Sequence, residues 1–250
     1  MTSFTKDNWG YPPFNRASFQ NVQQLFPTAR ISRGPGPITH LKGAGENPEL
    51  ELAQLSYLGL DGQPRSVADM IADTYTDAFL VGHGSTLLHE QYYANELASM
   101  QPHSLHLLNS VTKSLVGMLA GIQIENGLFS PDDLVATHVP ELDKGAFSNT
   151  RVRHLLDMTA AVAFGEDYAD PQADFWHETA VVGWRPQLSS ESSANSLLDY
   201  AASLTDTEQK DGEKYHYRTV LTNVLGMVIE RSANKPLQQL LEDHLWRGLG

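Results

Sequence analysis

A chain of 250 residues, 41% of them hydrophobic, is long enough to bury a core, either as one large domain or as two small ones. Its 17 Lys and Arg against 30 Asp and Glu give a formal charge of -13, which repels phosphate backbones and anionic lipid and argues against nucleic-acid and membrane-surface roles. The absence of cysteine excludes a disulfide framework, a thiolate metal site and a cysteine nucleophile.

Residues 1–10 show no basic segment followed by an apolar run, so no signal peptide is read there, and a soluble, cytoplasmic protein is expected. No stretch approaches the roughly 20 apolar residues that a bilayer span requires. Residues 1–65 are broken by Pro12-Pro13 and by Gly34-Pro35-Gly36-Pro37 and read as an irregular arm laid over a domain at 66–250. Trp9, Tyr11, Phe14, Phe19 and Phe26 argue that this arm is buried against something, not disordered. Regular structure is expected from about Asp69.

Ala78-Phe79-Leu80-Val81 predicts a strand, His83-Gly84-Ser85 a turn, and Thr86 to Tyr93 the returning strand of a hairpin. Val111, Leu115, Met118, Leu119 and Ile122 then recur at helical spacing, with Gly127 placed to end the helix. Ser130-Pro131-Asp132-Asp133 has the chemistry of a helix start, and residues 150–158 read as a short helix. A polar stretch from 165 to 193 reads as irregular. Helices are expected near 194–204, 219–232 and 236–246. Few strands and many helices suggest an α/β or α+β fold with a helical subdomain.

The sharpest local feature is Ser110-Val111-Thr112-Lys113. A serine hydroxyl is a poor nucleophile until a base takes its proton. At a helix start, residues three apart share a face, so Lys113 can reach the Ser110 oxygen. The N–H groups there point toward a developing oxyanion, with the helix dipole behind them. A pattern this short also arises by chance; its position at the start of an apolar helix after a hairpin raises its weight.

The segment Leu108 to Gly117 resembles the nucleophile helix of class C β-lactamase-related serine hydrolases. Three further segments follow in the family's order: Arg151 to Thr159, Lys214 to Thr219, and Leu225 to Arg231. Within the family, Thr74 to Val81, Glu166 to Pro171 and Gly183-Trp184-Arg185 resemble the nylon-oligomer (6-aminohexanoate) hydrolase subgroup. The resemblance implies a β-lactamase/penicillin-binding-protein-like sheet with a helical subdomain. It implies Ser110 as nucleophile, Lys113 as general base, Tyr217 as the group exchanging a proton with the leaving group, and Tyr168 in the substrate pocket. It implies a small-molecule amide or ester substrate and neither metal nor organic cofactor.

Without the resemblance, Tyr217 reads equally as a core aromatic. Tyr93-Ala94-Asn95 matches the class C tyrosine motif, but it precedes Ser110 at the end of a strand and reads as structural. His103 and His106 have no third ligand at a convincing spacing and read as surface or packing residues, and His154 as a helix residue. Two departures stand out. Thr219 occupies the position where the class C pattern has Asn, and no K-T-G or H-x-G strand follows Tyr217 before Gly250. The C-terminal strands and the second oxyanion N–H of the family are therefore expected to be lacking, with the hairpin edges left unpaired and the isolated chain weakly active or inactive. The rival readings are a non-catalytic binding protein on the same fold and, third, a cell-wall peptidase, which would require export.

Overall fold

The apolar run at 78–81 and its return across Gly84 form an antiparallel hairpin. Its strands are Ala78–His83 and Thr86–Tyr92, registered from Ala78 opposite Tyr92 to His83 opposite Thr86, with a bulge between Val81 and Gly82. Gly84 sits at φ 59, the left-handed conformation the turn requires. The computed structural model describes residues 3–43, 54–94, 99–186 and 194–249. Asn95, residues 187–193 and Gly250, to which the sequence reading extends, lie outside the described residues. The chain divides into two units, Met1–Pro27 with Pro37–Leu107, and Thr28–Gly36 with Leu108–Gly250.

The hairpin belongs to the first unit. There α1 (Asn15–Ser18) and the helix α2 (Val67–Asp73) accompany a short strand pair, β1 (Ser56–Leu58) and β2 (Pro64–Ser66), ahead of the hairpin strands β3 and β4. The sequence reading leaves out α1, β1 and β2: β1 is exposed at every position, so no alternation marks it. Ser66 caps α2 by accepting the Asp69 N–H at 3.0 Å. Of the N-terminal aromatics, Trp9 packs edge-on against Phe19 and Phe26 at 5.9 and 5.2 Å, whereas Tyr11 is exposed. Arg16 of α1 donates twice to one oxygen of Asp77, and His106 Nε2 lies 3.2 Å from the other.

The second unit is helical. It contains α3 (Val111–Glu125), α4 (Val135–His138), α5 (Val152–Leu156), α6 (Asp174–Val181), α7 (Leu197–Ser203), α8 (Thr219–Ala233), α9 (Leu237–Leu241) and, after a π turn at Glu242–Trp246, α10 (Arg247–Leu249). At its centre is α8, which buries Val220, Leu221, Val224, Leu225, Val228 and Ile229 against α3, α5, α6 and α7. It ends where Asn234 adopts the left-handed conformation. Burying six such side chains supplies on the order of 10 kcal/mol of hydrophobic driving force.

Two expectations need correction. The face α3 turns to the core is Val116, Leu119, Ala120 and Gln123, while Val111 and Met118 are 59% and 55% exposed. From Leu115 to Ile122 every residue is apolar or glycine, so periodicity could not select the buried side. The stretch from 165 contains a helix, α6, whose N-cap residue, Ala173, offers no side-chain cap. Among the described residues no helix is long and apolar enough to cross a membrane.

A serine, a histidine and an aspartate also meet away from Ser110. Ser232 Oγ is 3.0 Å from His138 Nδ1, and His138 Nε2 is 3.0 Å from Asp133. Ser232 lies in the last turn of α8, where the dipole opposes negative charge, so this set ties α8 to α4 and is not a nucleophile. The Ser130 N–H, and then His138, hold the Asp133 carboxyl below its ordinary value. A depressed carboxyl adds stability above its unfolded value, near 3.9, that is lost as pH falls through the folded one. Asp133→Asn is therefore expected to lower the urea midpoint at pH 6 and to converge with the parent below pH 3. A deficit constant across that range would contradict the ionic contribution.

Candidate active site

The chain enters α3 through Asn109 at φ 44, a left-handed residue that a short polar side chain tolerates. The sharp turn leaves Ser110 exposed at the helix start, with αR backbone angles. Lys113, three residues on, returns along the same face and donates to Ser110 Oγ at 3.0 Å. On its other side the ammonium lies 5.2 Å from the centre of the Tyr217 ring. The local Ser110–Lys113 pair and the distant tyrosine are thus brought together around one nitrogen.

Tyr217 is held by its neighbours. Arg218, fully buried and extended, donates from Nη1 to Ala160 O at 2.7 Å and from Nη2 to the Glu208 carboxylate, which is also 2.5 Å from His216 Nδ1. Thr219, the first residue of α8, donates its N–H to Glu166 Oε2 and its hydroxyl to Glu166 Oε1, both at 2.6 Å. A carboxylate capping a helix N-terminus in this way is favoured by the dipole as well as by its two bonds. Thr219, where the class C pattern would place Asn, is committed to Glu166.

Tyr168 donates its hydroxyl to Glu166 at 2.7 Å and rests edge-on against Phe175 at 4.9 Å; its side chain is exposed. Partial desolvation, and then Glu166, push its phenol well above the ordinary tyrosine range. Glu166 thereby joins the loop carrying Tyr168 to the helix start that follows Tyr217. Glu178 of α6 is 3% exposed and accepts from Asn223 Nδ2 at 2.9 Å. Burial pushes its carboxyl up to about 7; the Asn223 bond opposes that rise, the Glu166 charge adds to it and the Lys113 charge opposes it.

Glu178 and Glu208 lie outside every segment the sequence marks, and Glu166 and Arg218 lie inside marked segments without a role of their own. A lone acid on a helix or loop ordinarily reads as solvated, and only the fold reveals that Glu178 is buried. Of the histidines, His106 meets Asp77 and the Leu107 carbonyl, and His154 Nδ1 accepts the Arg151 N–H at 3.1 Å within the first turn of α5.

A hydroxyl, a primary amine and a phenol in this order can carry out nucleophilic acyl transfer with proton relay. The family model Beta-lactamase matches residues 67–250. The chain belongs to the β-lactamase family. This β-lactamase-family chain is 32% identical, over 246 residues, to 6-aminohexanoate-dimer hydrolase of Paenarthrobacter ureafaciens, covering 98% of the chain and 58% of that relative. Among solved structures, a Bacillus anthracis protein provisionally named a 6-aminohexanoate-dimer hydrolase superposes with a TM-score of 0.83 at 19% identity, over 98% of this chain and 63% of that one. EstCE1, a hydrolase with promiscuous acyltransferase activity, superposes with a TM-score of 0.51 at 21% identity, over 73% of this chain and 49% of its own. The chain therefore spans less than two thirds of the length of these relatives, and the two structural likenesses speak to fold alone. The fold is β-lactamase/penicillin-binding-protein-like, mixed α and β.

Proposed function

We propose that Ser110 is the nucleophile of a serine hydrolase that cleaves amide or ester bonds through an acyl-enzyme. The observation that carries this reading is the 3.0 Å contact between Ser110 Oγ and the Lys113 amine, with the Tyr217 ring on the other side of the same nitrogen. As the amine, Lys113 takes the hydroxyl proton while Oγ bonds to the carbonyl carbon. The carbonyl π-bond opens to an oxyanion, which the Ser110 N–H at the positive end of α3 favours. As the oxyanion collapses, the C–N or C–O bond breaks; Tyr217 protonates the leaving group and recovers its proton from Lys113. Water, activated by the reverse relay, then releases the acid and restores Ser110. No step calls for a metal or an organic cofactor.

The kinship with 6-aminohexanoate-dimer hydrolase supports linear aminohexanoate-type amides as the first substrates to try, followed by simple carboxylic esters and then β-lactams. Tyr168 would contact the scissile group from the Glu166 side. The partner is a small molecule, not nucleic acid or a membrane, consistent with the charge of -13.

The test is intact-mass spectrometry after brief exposure to an activated p-nitrophenyl ester. The parent is expected to gain one acyl group and Ser110→Ala none. A folded parent that gains no adduct would overturn the reading in favour of a binding protein on the same fold.

A further inference from the structure

The first unit holds a cavity of about 370 Å³, built where α1 meets the turn between α2 and β3. That volume falls at the lower end of the roughly 300–1,000 Å³ of small-molecule sites. Part of its wall is the Arg16 guanidinium, on a side chain only 17% exposed. Asp77 Oδ1 takes Nε and Nη2 of that group at 2.9 and 2.6 Å, and Nη2 also reaches the Thr76 carbonyl at 3.4 Å. The remaining nitrogen, Nη1, has no partner among the described residues, which leaves two N–H donors unused on a mostly buried side chain. Asn15, half-buried and also in the lining, makes no described side-chain hydrogen bond.

The acceptors nearby are engaged. Asp77, the one acid in the lining, has its other oxygen 3.2 Å from His106 Nε2. Thr74 gives its hydroxyl proton to the Met70 carbonyl at 2.7 Å, so in its 2.8 Å contact with Thr76 it is Thr76 that donates. Strong donors are therefore left facing a space that supplies no carboxylate of its own for them. Phe19, Tyr75 and Met100 add apolar surface to the same lining. Tyr75 follows α2 in the left-handed conformation, φ 54, while the Thr76 N–H closes on the Ile71 carbonyl at 3.1 Å. Glycine is the usual residue at such a helix end, and a tyrosine there is strained. The turn gains nothing from the ring, which is 63% exposed and borders the cavity.

We propose that this cavity binds a small aromatic carboxylate, with its charge on Arg16 Nη1 and the Asn15 amide and its ring against Tyr75, Phe19 and Met100. Asp77 fixes the guanidinium from one edge and so presents Nη1 ready oriented to an anion. Aromatic edges and a thioether favour a flat ring over an alkyl chain. The site is independent of the acyl-transfer reading of Ser110.

The experiment is titration of the chain with sodium benzoate at constant pH and ionic strength, followed by NMR of 13C-methyl methionine. Met100→Leu assigns the Met100 signal among the six methionines. In the parent, that signal is expected to move and saturate with a dissociation constant of about 1 mM, the order reached by so small a ligand. Benzamide, of the same shape without the charge, is expected to bind at least tenfold more weakly. Arg16→Lys keeps the charge but loses the planar fork, and is expected to weaken benzoate about tenfold. Should it fail to fold by circular dichroism, Asn15→Ala takes its place, with about threefold weaker binding and an unchanged thermal midpoint. Ser110→Ala is expected to bind benzoate as the parent does. An absent or unsaturable shift, benzamide binding as tightly as benzoate, parent affinity in the folded Arg16 or Asn15 variant, or loss of the shift in Ser110→Ala would each overturn the proposal, and none of these readouts requires turnover.

Discussion

Lys113→Met is expected to slow acylation of Ser110 by roughly a thousandfold or more while leaving the fold intact. Lysine is half-buried at the open end of α3, and its only described bonds there are to Ser110 Oγ and the Tyr217 face. Removing it costs a cation–π contact worth about 0.5–1 kcal/mol, so the thermal midpoint should move by only a few degrees. The rate falls because the hydroxyl has lost its base. Lys113→Arg is the sharper variant. Arginine keeps the positive charge and can still donate to Ser110 Oγ, but it stays protonated under all working conditions and cannot accept the serine proton. It should be as slow as the methionine variant. Near-parent acylation by Lys113→Arg, followed by stopped-flow release of p-nitrophenol, would show that the cation acts only as an electrostatic aid and that another group is the base.

The features legible in the sequence are those that depend on near neighbours. The hairpin from Ala78 to Tyr92 follows from a turn at Gly84 between a short apolar run and its returning strand, and Gly127, at φ 72, stands just after α3 as its place in the sequence suggests. Ser110 and Lys113 meet because three residues make nearly one helical turn. Tyr217 could be paired with them only through the family resemblance, since nothing local distinguishes it from a core aromatic. Helix α6 was missed for a different reason: it lacks a capping side chain, and its buried residues, Glu178, Thr179 and Ala180, do not form an apolar stripe. It is held by packing against α7 and α8. That same tertiary packing is what buries Glu178, so the helix and the acid became visible together.

Glu208→Ala is expected to lower stability by about 2–4 kcal/mol, a fall in thermal midpoint of roughly 5–12 °C, and to slow acylation as well. Arg218 is fully buried, its Nε has no described partner, and its charge is met by Glu208. Truncating the acid leaves that guanidinium unneutralised inside the unit. The cost falls in the lower part of the range for buried pairs because Glu208 is itself 36% exposed and water can enter where it stood. Glu208→Gln, which keeps an acceptor of the same shape without the charge, should fall between. The pH dependence follows from opposing effects on the acid. Burial pushes the Glu208 carboxyl up, but the bonds from His216 and Arg218 outweigh it, and the net position is below the ordinary value. The stabilisation is therefore full above the unfolded value, near 4.3, and disappears as pH falls through the folded one, so parent and variants should converge in acid. The effect on acylation has a geometric origin. His216 and Arg218 are both anchored on Glu208, and Tyr217 lies between them; releasing both neighbours frees the ring that faces Lys113. A variant that melts early yet is acylated at the parent rate below its transition would mean that Thr219 and Glu166, on the other side, suffice to aim Tyr217.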